Sequence, residues 1–311
     1  IKAIILFSAV IFVQAFSSTG VKAAECSALS AGQTPAVADG EIACTVSPTS
    51  LVFTIYELAL CTAAINPTMT TAQKDAICTT LFSDTSGKAV DLAPGSVIPL
   101  RGDLTMEEAT YTNGYLKIGK SQSMKTEFKF PSARTTPGTN ASGTGAYCFS
   151  KGVAIDDTPS GNNSQVTCDD SEFSTAANIS TFNIFGEPSS GAITIHGVTF
   201  TTFQMNYQTA TNTVGGVSAS TNLYMLDSNG TWSGSETADV TYSGDNPTLG
   251  TNDRTFIMAD QTLSSPVTIT PNTEALDIRF SVTGASTFAF NGANDIFENT
   301  FNGIVFLFSA N

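Results

Sequence analysis

From Lys88 onward one pattern recurs: short runs in which apolar and polar residues alternate, separated by Gly, Pro, Asn and Ser. Period-two alternation places apolar side chains on one face of a strand and polar ones on the other. The clearest case is 275–282, where Leu276, Ile278, Phe280 and Val282 interleave with Asp277, Arg279 and Ser281. Residues 124–130 alternate apolar with charged, as a strand with one wet face does. Further strands are expected at 89–92, 97–100, 110–118, 180–185, 192–195, 198–207, 222–226, 239–242, 255–258, 267–269, 286–290 and 303–308. Asn113-Gly114, His196-Gly197 and Asn229-Gly230 are placed where hairpin turns or bulges belong. Many short strands with turn signals between them predict a mainly β protein, an antiparallel β-sandwich or jelly-roll-like fold.

Two segments depart from simple alternation. Residues 51–61, LVFTIYELALC, are apolar on both alternating faces, which predicts a strand covered on both sides. Asn66-Pro67 then breaks the chain, and Thr70 or Thr71 can cap a short helix over about 72–82. Ala76, Ile77 and Leu81 would form its apolar face, and Cys78 would lie on it.

The N-terminus has a different character. Ile1-Lys2 is a basic start, 3–16 is apolar except for Ser8 and Gln14, and Val21-Lys22-Ala23 places small or branched residues at cleavage-site spacing. This is the pattern of a cleaved signal peptide over 1–23, and the apolar run is too short for a comfortable membrane span. The expected organisation is a signal segment at 1–23, a disulfide-stapled β region with a short helix at 24–135, and a β-sandwich region at 136–311. The boundary is drawn at 131–145, which is rich in Pro and Gly and holds no large apolar residue. A single domain with a long loop there is the alternative.

An exported chain meets an oxidising compartment, and this changes the meaning of the six cysteines, Cys26, Cys44, Cys61, Cys78, Cys148 and Cys168. Sequential pairing is favoured: Cys26–Cys44, Cys61–Cys78 and Cys148–Cys168. Unstrained loops of that size contribute about 3 kcal/mol each. A zinc site fits poorly, since the chain has one histidine and no C-x-x-C pair. The net charge of −14 disfavours nucleic acid and anionic membranes as partners. The charged fraction of 13% is about half of the ~25% usual in globular proteins. Ser, Thr, Asn and Gly fill the difference, as in many extracellular structural and adhesive β-proteins.

Candidate chemistry is sparse. His196 is read as a turn residue, because no G-x-S-x-G elbow singles out a serine to partner it. Glu107-Glu108 are adjacent, and neighbours on a strand point to opposite faces. Asp156, Asp157, Asp169, Asp170 and Glu172 flank the Cys148–Cys168 loop, and closing that loop would gather carboxylates of the kind calcium takes. Asp227-Ser228-Asn229-Gly230 starts like a calcium loop but lacks the closing ligands, so a hairpin turn is expected. Trp232, the one tryptophan, lies beside that turn and is the candidate ligand-stacking residue. Sequons occur at Asn140, Asn162, Asn178 and Asn229. The expectation is a non-enzymatic, exported surface or extracellular protein that acts by self-association as a layer, filament or matrix subunit. Strand addition at the apolar 304–308 segment is the expected contact. The alternative is a monomeric secreted module that binds a glycan or other cell-surface ligand.

Overall fold

A computed structural model describes residues 25–35, 37–38, 41–94, 106–136, 143–150, 166–171, 180–183, 193–195, 198–200, 207–214, 217–232, 240–243, 246–249, 254–291, 295–301 and 304–310. The expected signal segment, the strand at 97–100, His196, Asp156, Asp157 and Glu172 lie outside these. The strands are β1 Val37–Ala38, β2 Glu41–Val46, β3 Ser50–Cys61, β4 Cys78–Leu92, β5 Thr110–Lys125, β6 Glu127–Thr136, β7 Gly143–Ser150, β8 Val166–Asp169, β9 Ser180–Asn183 and β10 Ile193–Ile195. They continue with β11 Val198–Phe200, β12 Tyr207–Val214, β13 Val217–Asp227, β14 Val240–Ser243, β15 Asn246–Leu249, β16 Arg254–Thr268, β17 Leu276–Ser281, β18 Ser286–Asn291, β19 Asp295–Phe301 and β20 Val305–Ala310. One sheet runs β1-β2-β18-β19-β6-β7-β8, and a second runs β12-β13-β16-β5-β3-β4 with β9 beside β5. Pairing is antiparallel except where β19 meets β6. The antiparallel sandwich-like expectation holds.

The two-stranded β17–β20 sheet covers the inner face of the second sheet. Phe53, Ile55, Leu58, Leu60, Leu116 and Ile118 pack there against Ile278, Phe280, Val305 and Phe306. Burying each large side chain contributes about 1.5–3 kcal/mol. The alternation read at 275–282 is the one that packs: Ile278, Phe280 and Val282 are buried and Arg279 is exposed. Asn113-Gly114 makes no turn. Both residues lie inside β5, with Gly114 opposite Leu60 and Gln261. A Cβ on Gly114 would collide with the Phe306 ring, so the glycine permits the close approach of the two layers.

The doubly apolar 51–61 run has a specific cause. Against β5 the register slips between Ile55 and Glu57, leaving Tyr56 as an extra residue, while against β4 the extra residues lie on β4, between Ser83 and Lys88. A bulge of this kind changes which face each later residue occupies. Leu51, Phe53 and Ile55 point inward before it, and Leu58 and Leu60 after it. Tyr56 then packs on Phe256, and Glu57 bonds to Tyr115, on the other face.

The helix is shorter than its expectation and its cysteine is elsewhere. α1 is Thr71–Asp75, with Thr70 as N-cap in a capping box with Gln73. The helix ends because Cys78 must stand opposite Cys61 in the β3–β4 ladder, and Thr79 and Thr80 continue as strand. Cys78 and Leu81 therefore lie on β4, and the disulfide joins strand to strand. All three bonds follow the sequential pairing: Cys26–Cys44, Cys61–Cys78 and Cys148–Cys168.

The first sheet has its own core of Phe130, Val166, Phe288, Phe290 and Ile296, with Cys26–Cys44 and Cys148–Cys168 inside it. Arg134, 0% exposed, lies among these rings. Its guanidinium is 5.2 Å from the Phe130 ring and 5.4 Å from that of Phe290, and Nη2 donates to the Gln33 carbonyl at 2.8 Å. Part of the 131–145 segment is strand: β6 extends to Thr136 and β7 begins at Gly143. Pro131 falls where the β6–β7 register is irregular, between Lys129 and Arg134, which tolerates its missing N–H. Both large sheets take strands from either side of residue 136.

The chain crosses between the sheets at a polar seam. β2 leads to β3 through Ser47-Pro48-Thr49, β5 leads to β6 through Thr126, and β17 leads to β18 through 282–285. Thr49 N–H donates to the Lys125 carbonyl at 2.8 Å, and Gly284 N–H to Ser47 Oγ at 3.0 Å. Thr126 N–H donates to Ser150 Oγ at 3.0 Å, and Ser150 N–H returns to the Thr126 carbonyl at 2.8 Å. Thr126 Oγ1 donates to Ser286 Oγ at 3.3 Å.

Candidate functional site

The outer face of the second sheet carries the densest chemistry among the described residues. Register places Glu57 opposite Lys117, Lys117 opposite Met258, and Met258 opposite Tyr224. The loop at 62–77, closed at its base by Cys61–Cys78, lies over part of this face. Its Ile65, Met69 and Ile77 pack with Ala59, Tyr115 and Met258.

Four polar side chains meet beside that loop. Lys74 of α1 forms an ion pair with Glu57 Oε1. Tyr115 Oη donates to Glu57 Oε2 at 3.2 Å, and the Lys74 ammonium lies 5.1 Å from the Tyr115 ring centre. Burial pushes the Tyr115 phenol well above its ordinary range, and the negative charge and hydrogen bond of Glu57 add to this. Lys117 lies 4.1 Å from the Phe256 ring centre. Burial lowers its pKa and the like charge of Lys74 lowers it further, against the opposing pull of Glu57 and Asp227. The amine is tucked under the 227–231 turn: a Cβ on Gly230 would be 3.0 Å from Nζ.

The turn itself is built as expected for Asn229-Gly230. Gly230 has φ +78° and donates to the Asp227 carbonyl at 3.0 Å. Asp227 Oδ1 accepts the Asn229 and Thr231 N–H groups at 2.9 and 2.8 Å. The carboxylate thus organises the turn. Trp232 follows, bridged to Leu226, half-buried, with its ring 5.6 Å from that of Tyr224 and nearly perpendicular to it. Tyr56 and Phe256 form a second edge-on pair at 4.7 Å. The face therefore combines aromatic rings with an amine and a carboxylate, an arrangement able to stack on a ring and hydrogen-bond its substituents.

Deeper in the same face is Asp260, 1% exposed. Asn113 Nδ2 donates to its Oδ1 at 3.0 Å. The Ile65 N–H and the Asn222 amide also face the carboxylate, while Oδ2 completes no hydrogen bond of full geometry. Burial raises the pKa of Asp260 and these donors only partly offset it.

The acidic candidates fare differently. Asp169 ends β8 and its Oδ1 accepts the Ser171 N–H at 2.8 Å, which holds the carboxyl below its ordinary range. Asp170 follows, exposed. Among the described residues no three of His, Cys, Asp and Glu are gathered to hold a metal ion. Glu107 and Glu108 precede β5 and are exposed. Glu57, Lys117 and Asp260 were not singled out from sequence. The available signal was a charged residue inside an otherwise apolar strand, and only the sheet register shows which of these meet.

No family model, curated protein or solved structure matches the chain. Three disulfides mark an oxidising environment, outside the cell or in its envelope. No helix among the described residues is long and apolar enough to cross a membrane.

Proposed function

We propose that this is an exported structural or adhesive protein of the cell surface or extracellular space, working by self-association through sheet edges. The observation that carries this reading is where two disulfides fall. Cys61 and Cys78 stand directly opposite in the β3–β4 pair, and Cys148 and Cys168 directly opposite in the β7–β8 pair. Among the described residues, β4 and β8 end the strand orders of their sheets. An outermost strand is a template for adding a strand from another chain. A covalent tie to its neighbour holds its register and keeps it from peeling under load.

Negative-stain electron microscopy and sedimentation of the oxidised protein, with and without millimolar calcium, test this. Filaments, sheets or discrete oligomers are expected, and dissolution by a chelator would tie assembly to the carboxylates around 156–172. Monodisperse monomer at high concentration in every condition would sink the proposal.

One observation favours the binding-module reading. Trp232 does not stand alone: Tyr224, Phe256 and Tyr56 share its face, next to Lys117 and Glu57. Sugar rings stack on such aromatic groups. A glycan array probed with wild type and Trp232→Ala decides it, since specific binding lost in the variant would establish the site and a blank array would remove it.

A further inference from the structure

We propose that the disulfide-closed loop at 62–77 is a pH-tightened cap, held more firmly over the outer face of β3, β5 and β16 as the solution becomes more acidic. The geometry supplies the coupling. Asp260 is 1% exposed on this face, and Ile65 of the cap, itself 4% exposed, turns its N–H toward the carboxylate. Lifting the cap admits water to the carboxyl, and closing it removes that water. The disulfide between Cys61 and Cys78 keeps the loop attached in either state, so the motion is local and reversible.

The sign follows from burial. With the cap closed, Asp260 holds its proton more tightly than a solvated carboxyl does, because Oδ2 has no donor of full geometry to replace water. The closed state then takes up a proton that the open state lacks, and closure is favoured as pH falls through the raised closed-state value. The benefit is complete below the ordinary carboxyl value and is lost as pH rises through the raised one. Tyr115 is the titratable group opposite Asp260 in register, and its own pKa is raised, so it stays neutral. Asn113 on β5 and Asn222 on β13 carry no charge. Glu57, Lys74 and Lys117 form the next group across the face, and the Glu57–Lys74 pair is a second anchor of the cap. Removing the Glu57 charge by substitution weakens that anchor and leaves Asp260 in place, which separates the two carboxyls experimentally.

Hydrogen exchange by mass spectrometry on the full oxidised chain tests the cap. Peptides from 62–77 are followed from about pH 8 to about pH 5.5, above the ordinary carboxyl range, with intrinsic rates divided out. Protection of the cap should rise as pH falls, by up to about tenfold per pH unit, the limit for uptake of one proton. Asp260→Asn should be highly protected throughout and flat with pH, while Glu57→Gln should keep the wild-type slope. Protection that is flat or falls with acid in the wild type, an unchanged slope in Asp260→Asn, or a slope lost in Glu57→Gln would each overturn the proposal. Should Asp260→Asn fail to fold, the wild-type and Glu57→Gln slopes still decide.

Discussion

Gln261, 1% exposed on β16, donates Nε2 to the Phe306 carbonyl at 2.7 Å and accepts the Phe306 N–H on Oε1 at 3.2 Å. Its primary amide thus serves β20 as a neighbouring strand's backbone would, and ties the two layers of the core. Glutamine is suited to this because it presents a donor and an acceptor at a fixed separation. Replacing it with leucine keeps the volume and leaves both backbone groups of a residue only 2% exposed without their partner. Each unmade bond of this kind costs about 1–3 kcal/mol. Gln261→Leu should therefore lose about 2–6 kcal/mol in urea unfolding, and a loss below about 1 kcal/mol would mean that the amide contributes little to joining the layers. Nothing in the alternation around 261 marks it as a layer-to-layer tie. The sequence shows a polar residue in a strand, and polar residues in strands usually face water.

At the scale of elements, the cap has a helix of five residues, Thr71–Asp75, with no buried side chain. So short a helix is not stable by itself, and here it depends on its ends. Thr70 Oγ1 accepts the Gln73 N–H at 3.3 Å, and the Thr70 N–H donates to Gln73 Oε1 at 2.9 Å. Thr70→Ala removes one half of this box at a cost of about 1 kcal/mol. That loss should stay in the cap: limited proteolysis within 62–77 should accelerate while the global melting temperature stays put. A fall in melting temperature would show that the cap unfolds with the sheets. The capping signal was legible in the sequence; the end of the helix was not. Ala76, Ile77 and Leu81 do have helical spacing, but Cys78 is claimed by the ladder position opposite Cys61, and a tertiary constraint outweighs local preference. The doubly apolar 51–61 run was equally ambiguous, because a bulge at Tyr56 is set by pairing with β5. Clean alternation, as at 276–280, needed no such partner to be read. The same holds for the candidate site, where Trp232 could be named from its type but its companions Tyr224, Phe256 and Lys117 come from other strands.

Across the whole molecule, the two large sheets are joined by the crossings at Ser47-Pro48-Thr49 and Thr126, and 282–285, which joins the β17–β20 layer to the first sheet, lies beside them. Thr126, Ser150 and Ser286 are each 0% exposed there, so their hydrogen bonds are made away from water. The apolar clusters on either side of the seam are separate. Each sheet is also closed by its own covalent ties: Cys61–Cys78 in the second, Cys26–Cys44 and Cys148–Cys168 in the first. Mutual stability therefore depends on the seam more than on shared apolar packing. Wild-type protein should melt in one calorimetric transition, since β2 runs directly into β3 and β5 into β6, each pair linking a strand of one large sheet to a strand of the other. Ser47→Ala with Ser150→Ala removes the acceptors of the Gly284 and Thr126 N–H groups, at about 1–3 kcal/mol each. With the coupling weakened and the disulfides intact, the double variant should resolve into two transitions, one for each core. A single transition at lower temperature would instead mean that the crossing strands alone are enough to make the sheets unfold together.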